Sequence, residues 1–168
     1  MRPKVNKRIV SRLTHLVMPA FCLAVLNCCE QPPSPKSDCR PTPQAEIGPF
    51  YRPNAPVRHR VGKGYRLSGT VLSAKDCLPL PGARLEFWLV NSQGQYDQDH
   101  RATVFADRRG RYRFEANRPG DYVGRKPHIH IMVSAEGYER LIAQHYPRQG
   151  SDAGVFDLVL VPLPAEGG

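Results

Sequence analysis

The stretch "GDYVGRKPHIHIMV", Gly120 to Val133, decides how the folded part of this chain is read. Its second half alternates, with His128, His130 and Met132 at one parity and Ile129, Ile131 and Val133 at the other. In a β-strand, residues i and i+2 point the same way. The isoleucines therefore belong to a core face, and the two imidazoles sit side by side on the opposite face. Two histidines so placed can present adjacent ring nitrogens to one metal ion. Many such pairs on exposed strands are inert, so the pair alone leaves both readings open.

The same alternation recurs outward from this stretch. "YRLSGTVL", "ARLEFWLV", "RYRFEA", "HIHIMVSA", "RLIAQHY" and "VFDLVLVPL" are short apolar-alternating runs, separated by turns such as "SAKDCLPLPG", "NSQGQYD" and "NRPGD". Runs of this length between Gly, Pro, Asn and Asp clusters read as strands. Beyond the N-terminal leader no segment keeps a 3.6-residue apolar period. The expected fold is all-β, an antiparallel two-sheet β-sandwich.

The first residues read differently. "MRPKVNKR" carries four basic residues and no acid, and the short apolar "LTHLVMPAFCLAVLNCC" follows it. That order marks a secretory signal, too short for a comfortable membrane span. "LNCC" faintly resembles a bacterial lipoprotein processing site, with Cys29 or Cys28 lipidated; an ordinary cleaved signal is the other reading. "EQPPSPKSDCRPTPQ" has five prolines in fifteen residues and reads as a stiff spacer. The expected organisation is a signal over 1–28, a linker over 29–46 and a sandwich domain over 47–168. An exported location follows, periplasmic, secreted or membrane-attached through an N-terminal lipid.

Of the 24 Lys and Arg residues, five lie in residues 1–28 with no acid beside them. The other 19 stand against 15 Asp and Glu, a net of +4. No basic run interleaved with aromatics appears, which argues against a nucleic-acid partner. Outside the leader only Cys39 and Cys77 remain, without a CxxC pair. In an oxidising compartment they could form one disulfide that clamps the spacer's end onto the domain and stabilises by roughly 3–4 kcal/mol; two separate thiols are the alternative.

The histidine pair has no Asp, Glu or spare Cys beside it. Tyr122 lies close, six residues before His128. Phenolate is a hard donor that suits ferric iron, but a free phenol titrates near ~10 and ionises at neutral pH only beside a strong cation. Copper or zinc at the two histidines is a further possibility.

Several ordered motifs resemble the intradiol ring-cleavage dioxygenase family. They are Gly69-Thr70-Val71, Pro79 to Ala83, Trp88 to Asn91, Gly94-Gln95-Tyr96, "GRYRF", "PGDYVGRKPHIHI", "LIAQHYP" and, upstream, "TPQAEIGPFY". The resemblance covers about Thr42 to Pro147. It implies Fe(III) held by Tyr96, Tyr122, His128 and His130, with a catechol and O2 as substrates. The ring would open between the two hydroxyl-bearing carbons to a cis,cis-muconate-type product. By the same resemblance Tyr122 is the phenolate that substrate displaces, Arg125 stabilises negative charge on the bound substrate, and Gln144 sits near the oxygen side. Gly48, Pro49, Phe50 and Tyr51 would line the substrate. Ala102 and Ala106 depart from the family pattern in the surroundings of the site. The reading from a different class is a non-catalytic exported sandwich module with a vestigial metal site. Trp88 is expected in the core, His59 and His145 at the surface, and Asp97 and Asp99 in turns.

Overall fold

The computed structural model describes residues 39–122 and 124–164, all within the unit Pro35–Gly168. The expected signal over 1–28 and the first part of the linker lie outside the described residues.

The strands are β1 (Tyr65–Ser73), β2 (Arg84–Val90), β3 (Tyr96–Phe105), β4 (Arg111–Ala116), β5 (Ile129–Ser134), β6 (Leu141–His145), β7 (Ala153–Val155) and β8 (Leu158–Leu160). They form two sheets, so the all-β sandwich expectation holds. One sheet runs β3-β2-β5-β6 and is antiparallel throughout. The other runs β4-β1-β7, with β8 also on β1. There β1 pairs β4 antiparallel but β7 and β8 parallel.

Two elements differ from the sequence reading. "NSQGQYD" was expected to be a turn, yet Tyr96 opens β3; the polar run "YDQDH" hides the strand, whose apolar alternation begins only near Arg101. "VFDLVLVPL" was expected as one strand, and it divides between β7 and β8. At the break, Phe156 donates its N–H to the Ser68 carbonyl and the Asp157 carboxylate accepts the Thr70 N–H.

The core lies between the sheets. Ile129, Ile131 and Val133 face it with Leu85, Phe87 and Leu89, against Leu67, Val71, Tyr112 and Phe114 of the other sheet. Phe87 stacks on Phe114 across the layer, centroids 4.2 Å apart and planes 7° from parallel. The alternation of "HIHIMV" thus resolves as expected, with isoleucines inward and histidines on the outer face.

That outer face is not left to solvent. Strand register sets Arg101, Trp88, His130 and Gln144 in one row across β3, β2, β5 and β6, with Thr103, Glu86, Met132 and Ile142 in the next. Glu86, Arg101, Thr103, His128 and His130 are all buried there. The cover is the chain from Thr42 to Arg58, which crosses the face as a strap. At one edge Ala45 donates to the Ile142 carbonyl and Ile142 to Gln44 Oε1. At the other, Thr103 donates its N–H to Pro56 and its hydroxyl to Ala55, and Arg58 donates back to Thr103. Residues 42–46, read from composition as the end of a spacer, therefore carry hydrogen bonds to the domain, including Thr42 N–H to the Val159 carbonyl. Cys39 and Cys77 are joined by a disulfide just before the strap begins.

Because Phe87 fills the gap between the layers, Phe87→Ala should cost about 3–5 kcal/mol in urea unfolding. A loss below about 1 kcal/mol would contradict its place against Phe114.

Candidate functional site

The site forms where the strap, the start of β3, the 119–126 turn and the start of β5 meet. Two of its side chains come from loops whose backbones touch. Gly94 has φ +75°, and a Cβ there would run into the Asp121 carbonyl. Glycine is thus needed for the β2–β3 turn to lie against the Asp121 segment. Gly120 donates its N–H to the Asn91 carbonyl across the same contact. This apposition brings Tyr96 and Tyr122 together, ring centroids 5.5 Å apart and nearly perpendicular. A tight turn follows, in which Arg125 N–H donates to the Tyr122 carbonyl.

The two imidazoles converge as the sequence implied. His128 Nδ1 lies 2.7 Å from the Lys126 carbonyl, so that nitrogen carries the proton and donates it. Its Nε2 is then a lone pair, and it points at His130 Nε2 3.1 Å away. Trp88 lies flat on His130, with centroids 4.8 Å apart and planes 9° from parallel. Gly48 closes the other side, and a Cβ there would sit 3.5 Å from His130 Cε1. His130 Nδ1 is buried without a hydrogen-bond partner.

Phe50 stacks on Tyr96 at 4.4 Å and meets Tyr122 edge-on at 5.7 Å. Tyr51 packs against Trp88 and donates its hydroxyl to Glu86. Pro49 is exposed. Arg125 donates to Gln144 Oε1 at 3.3 Å, and Tyr146 donates to the same oxygen at 2.7 Å. The structure thus gathers Tyr96, Tyr122, His128, His130, Phe50, Tyr51 and Gly48 around one point, with Arg125 and Gln144 joined beside it.

Electrostatics oppose charge in this pocket. Burial pushes the Tyr96 phenol up to about 12, helped by Tyr122, against smaller opposing pulls from Arg125 and Arg101. Burial lowers His130 to about 3, with His128 and Arg125 adding to the effect. Both groups are neutral as they stand. Among the described residues no group of three or more His, Cys, Asp and Glu side chains could hold a metal. The donor set that fits a metal includes the two phenols. Two ligands at right angles on a metal–nitrogen bond of about 2.1 Å stand about 3.0 Å apart, close to the separation seen between the imidazole nitrogens. Without a metal, His130 Nε2–H can donate to the His128 Nε2 lone pair, and a cation held by both nitrogens would take the place of that proton.

Four features were not foreseen. Glu86 and Arg101 are buried charges on the site face, and Tyr146 stands 5.7 Å from His128. Trp88 is buried as expected, but against His130 and not between the sheets. His145, expected at the surface, hydrogen bonds Tyr65 at 2.7 Å, and burial lowers it to about 4. A charged residue inside the apolar run "RLEFWLV" was the available signal for Glu86; His145 gave none, because its partner is 80 residues away. Asp97 and Asp99, expected in turns, lie in β3, where Asp97 takes hydrogen bonds from His100 and Asn91.

A β-sandwich with imidazoles and phenols converging on one covered sheet face defines the class of architecture. No family model matches the chain. A catechol 1,2-dioxygenase of Candida albicans is 34% identical over 142 residues, 62% of this chain and 46% of that protein. A hydroxyquinol 1,2-dioxygenase of Rhizobium sp. is 30% identical over 131 residues, 57% and 44% respectively. The dioxygenase domain of a dioxygenase–carbohydrate-binding protein fusion from Streptomyces sp. SirexAA-E superposes with a TM-score of 0.67 at 29% identity, over 74% of this chain and 100% of that one. The chain spans about half the length of the curated relatives it matches. These likenesses support the intradiol ring-cleavage dioxygenase family.

The buried histidines give a pH dependence. A base held below its ordinary value of 6.5 binds fewer protons folded than unfolded, so stability falls as pH drops below 6.5. The metal-free protein should lose unfolding midpoint steadily from pH 6.5 to about 4, the value of His145. His145→Gln should flatten that slope. A midpoint constant over the interval would contradict the burial of these rings.

Proposed function

We propose that the chain cleaves catechol-type aromatic rings between the two hydroxyl-bearing carbons, using O2 and ferric iron held by Tyr96, Tyr122, His128 and His130. The observation that carries this reading is the convergence of two imidazole Nε2 atoms with two phenols, in a pocket where burial opposes charge on Tyr96 and His130. Bound ferric iron would supply a trivalent centre that ionises the phenols and accepts both catechol oxygens.

The chain's own groups do the rest. The proton of His128 stays on Nδ1, held by the Lys126 carbonyl, which keeps Nε2 free to ligate. Trp88 fixes the plane of His130. Phe50 covers Tyr96 and keeps water from it. Tyr122 is only half-buried, at a turn, and once ionised by a bound cation its phenolate would be the one able to swing away and take a catechol proton. Arg125 sets a planar cation at the mouth, tied to Gln144 and through it to Tyr146, where negative charge on the substrate is stabilised. A vestigial site would be expected to have lost part of this set, and all of it is present.

Substrate preference follows from what lies near Arg125. Gly124, Arg125, Lys126 and Tyr146 line an open cavity of about 440 Å³. Lys126 is exposed, and Arg140 lies on the strap side, where its carbonyl accepts from Gln44. Neither offers a buried anchor for a substrate carboxylate. Catechol and neutral substituted catechols are therefore preferred over protocatechuate. The basic-then-apolar leader supports export, with lipid attachment at Cys28 or Cys29 as one form of it.

Purified protein reconstituted with iron should bind one ferric ion per chain and show a visible phenolate-to-iron band, which Tyr122→Phe shifts or weakens. A colourless, iron-free protein after reconstitution would contradict the reading. Oxygen uptake should be faster with catechol and hydroxyquinol than with protocatechuate at matched concentration. Uptake with protocatechuate alone would overturn the preference, and extradiol products would overturn the mechanism.

A further inference from the structure

Beneath the strap lie two buried charges that the proposed chemistry does not use. Glu86 is 2% exposed and Arg101 3%. Their cross-strand neighbours on the outer face are Thr103, Met132 and Trp88, none of them charged. A buried charge costs several kcal/mol unless it is paired and hydrogen bonded. An apolar residue would fill either place more cheaply if filling were all that was required.

Their partners show what the charges hold. Glu86 takes both guanidinium nitrogens of Arg84, at 2.5 and 3.0 Å, and the Tyr51 hydroxyl at 3.2 Å. Arg101 donates from Nη2 to the Phe50 carbonyl at 2.5 Å. Two successive strap residues are thus gripped from below, one through its side chain and one through its backbone.

Each grip reaches a different part of the site. Phe50 carries the Arg101 contact to Tyr96, on which it stacks, and to the edge of Tyr122. Tyr51 carries the Glu86 contact to Trp88, ring centroids 5.2 Å apart, and Trp88 lies on His130. A single peptide therefore links both buried charges to both kinds of candidate ligand.

We propose that Glu86 and Arg101 are positioning residues, which fix Phe50 and Tyr51 as a preformed wall of the site and hold the strap closed over Trp88. The fold of the strap alone does not do this. Its main-chain hydrogen bonds to the sheet lie at Thr42, Ala45, Pro56 and Arg58, and the span between Gly48 and Pro53 rests on these two side chains and on ring contacts. The role concerns geometry in the metal-free protein. It rests on the proposed function only where kinetics are read.

Trp88 is the chain's single tryptophan, so its fluorescence reports the cover directly. Acrylamide quenching is measured on metal-free protein in the parent, in Glu86→Gln and in Tyr51→Phe, with circular dichroism confirming the fold. The quenching constant should rise about threefold or more in both variants as the strap opens locally. In iron-loaded protein KM should rise about tenfold with kcat within about twofold, the pattern of lost substrate binding. Trp88 as well shielded in both variants as in the parent would overturn the proposal, and so would a fall in kcat at constant KM with quenching unchanged. If Glu86→Gln does not fold, Tyr51→Phe decides by the same quenching criterion, because it removes one hydroxyl and leaves the buried ion pair intact. If the parent shows no ring cleavage at all, the proposed function fails, and quenching alone still decides the role of the two residues.

Discussion

The outer face of β3-β2-β5-β6 carries charge and imidazole where an ordinary sandwich would meet water, and the strap from Thr42 to Arg58 is what makes that arrangement possible. Without it Glu86, Arg101, Thr103 and His130 would be solvated, and the burial that lowers His130 would be lost. With it they are desolvated, and each must find a partner. Glu86 finds Arg84 and Tyr51, Thr103 finds the Ala55 carbonyl, and Arg101 finds the Phe50 carbonyl. The histidines find each other and a carbonyl, which leaves one ring nitrogen without a partner.

Desolvation also sets the chemistry. A phenol raised to about 12 and an imidazole lowered to about 3 make a pocket that resists charge of either sign when empty of a cation. A trivalent ion reverses that balance at once, because it favours phenolate and neutral imidazole together. Under the proposed function, the surroundings as well as the donor atoms would favour a hard, highly charged metal. Arg125 adds a cation close to the mouth. It is exposed, so it can meet an incoming anion without a desolvation cost of its own.

Much of this was legible in the chain. The alternation in "HIHIMV" gave the core face and the histidine face, because period-two patterning reports directly on a half-buried strand. Tyr122 stood out by its closeness to His128, but Tyr96 could be named only through family motifs, since nothing in local spacing says that the two meet. Their contact depends on glycines in two distant loops. β3 was missed because its first residues are polar and lie at the rim of the site, where function overrides strand patterning. The strap was read as spacer and pocket wall for a similar reason. Its prolines signal extended backbone correctly, but only the sheet's edges show that this extended backbone has hydrogen bonds to make. His145 was invisible because its partner is 80 residues away, and Glu86 showed only as a charge within an apolar run, since its Tyr51 partner sits in the strap.

The most direct measurement is anomalous diffraction at the iron edge from crystals of iron-loaded protein. One peak bonded to Nε2 of both His128 and His130 and to the hydroxyl oxygens of Tyr96 and Tyr122 is the result expected. A peak elsewhere, or a histidine pair left without iron in protein that has taken up the metal, would contradict the assignment of this covered sheet face as the catalytic centre.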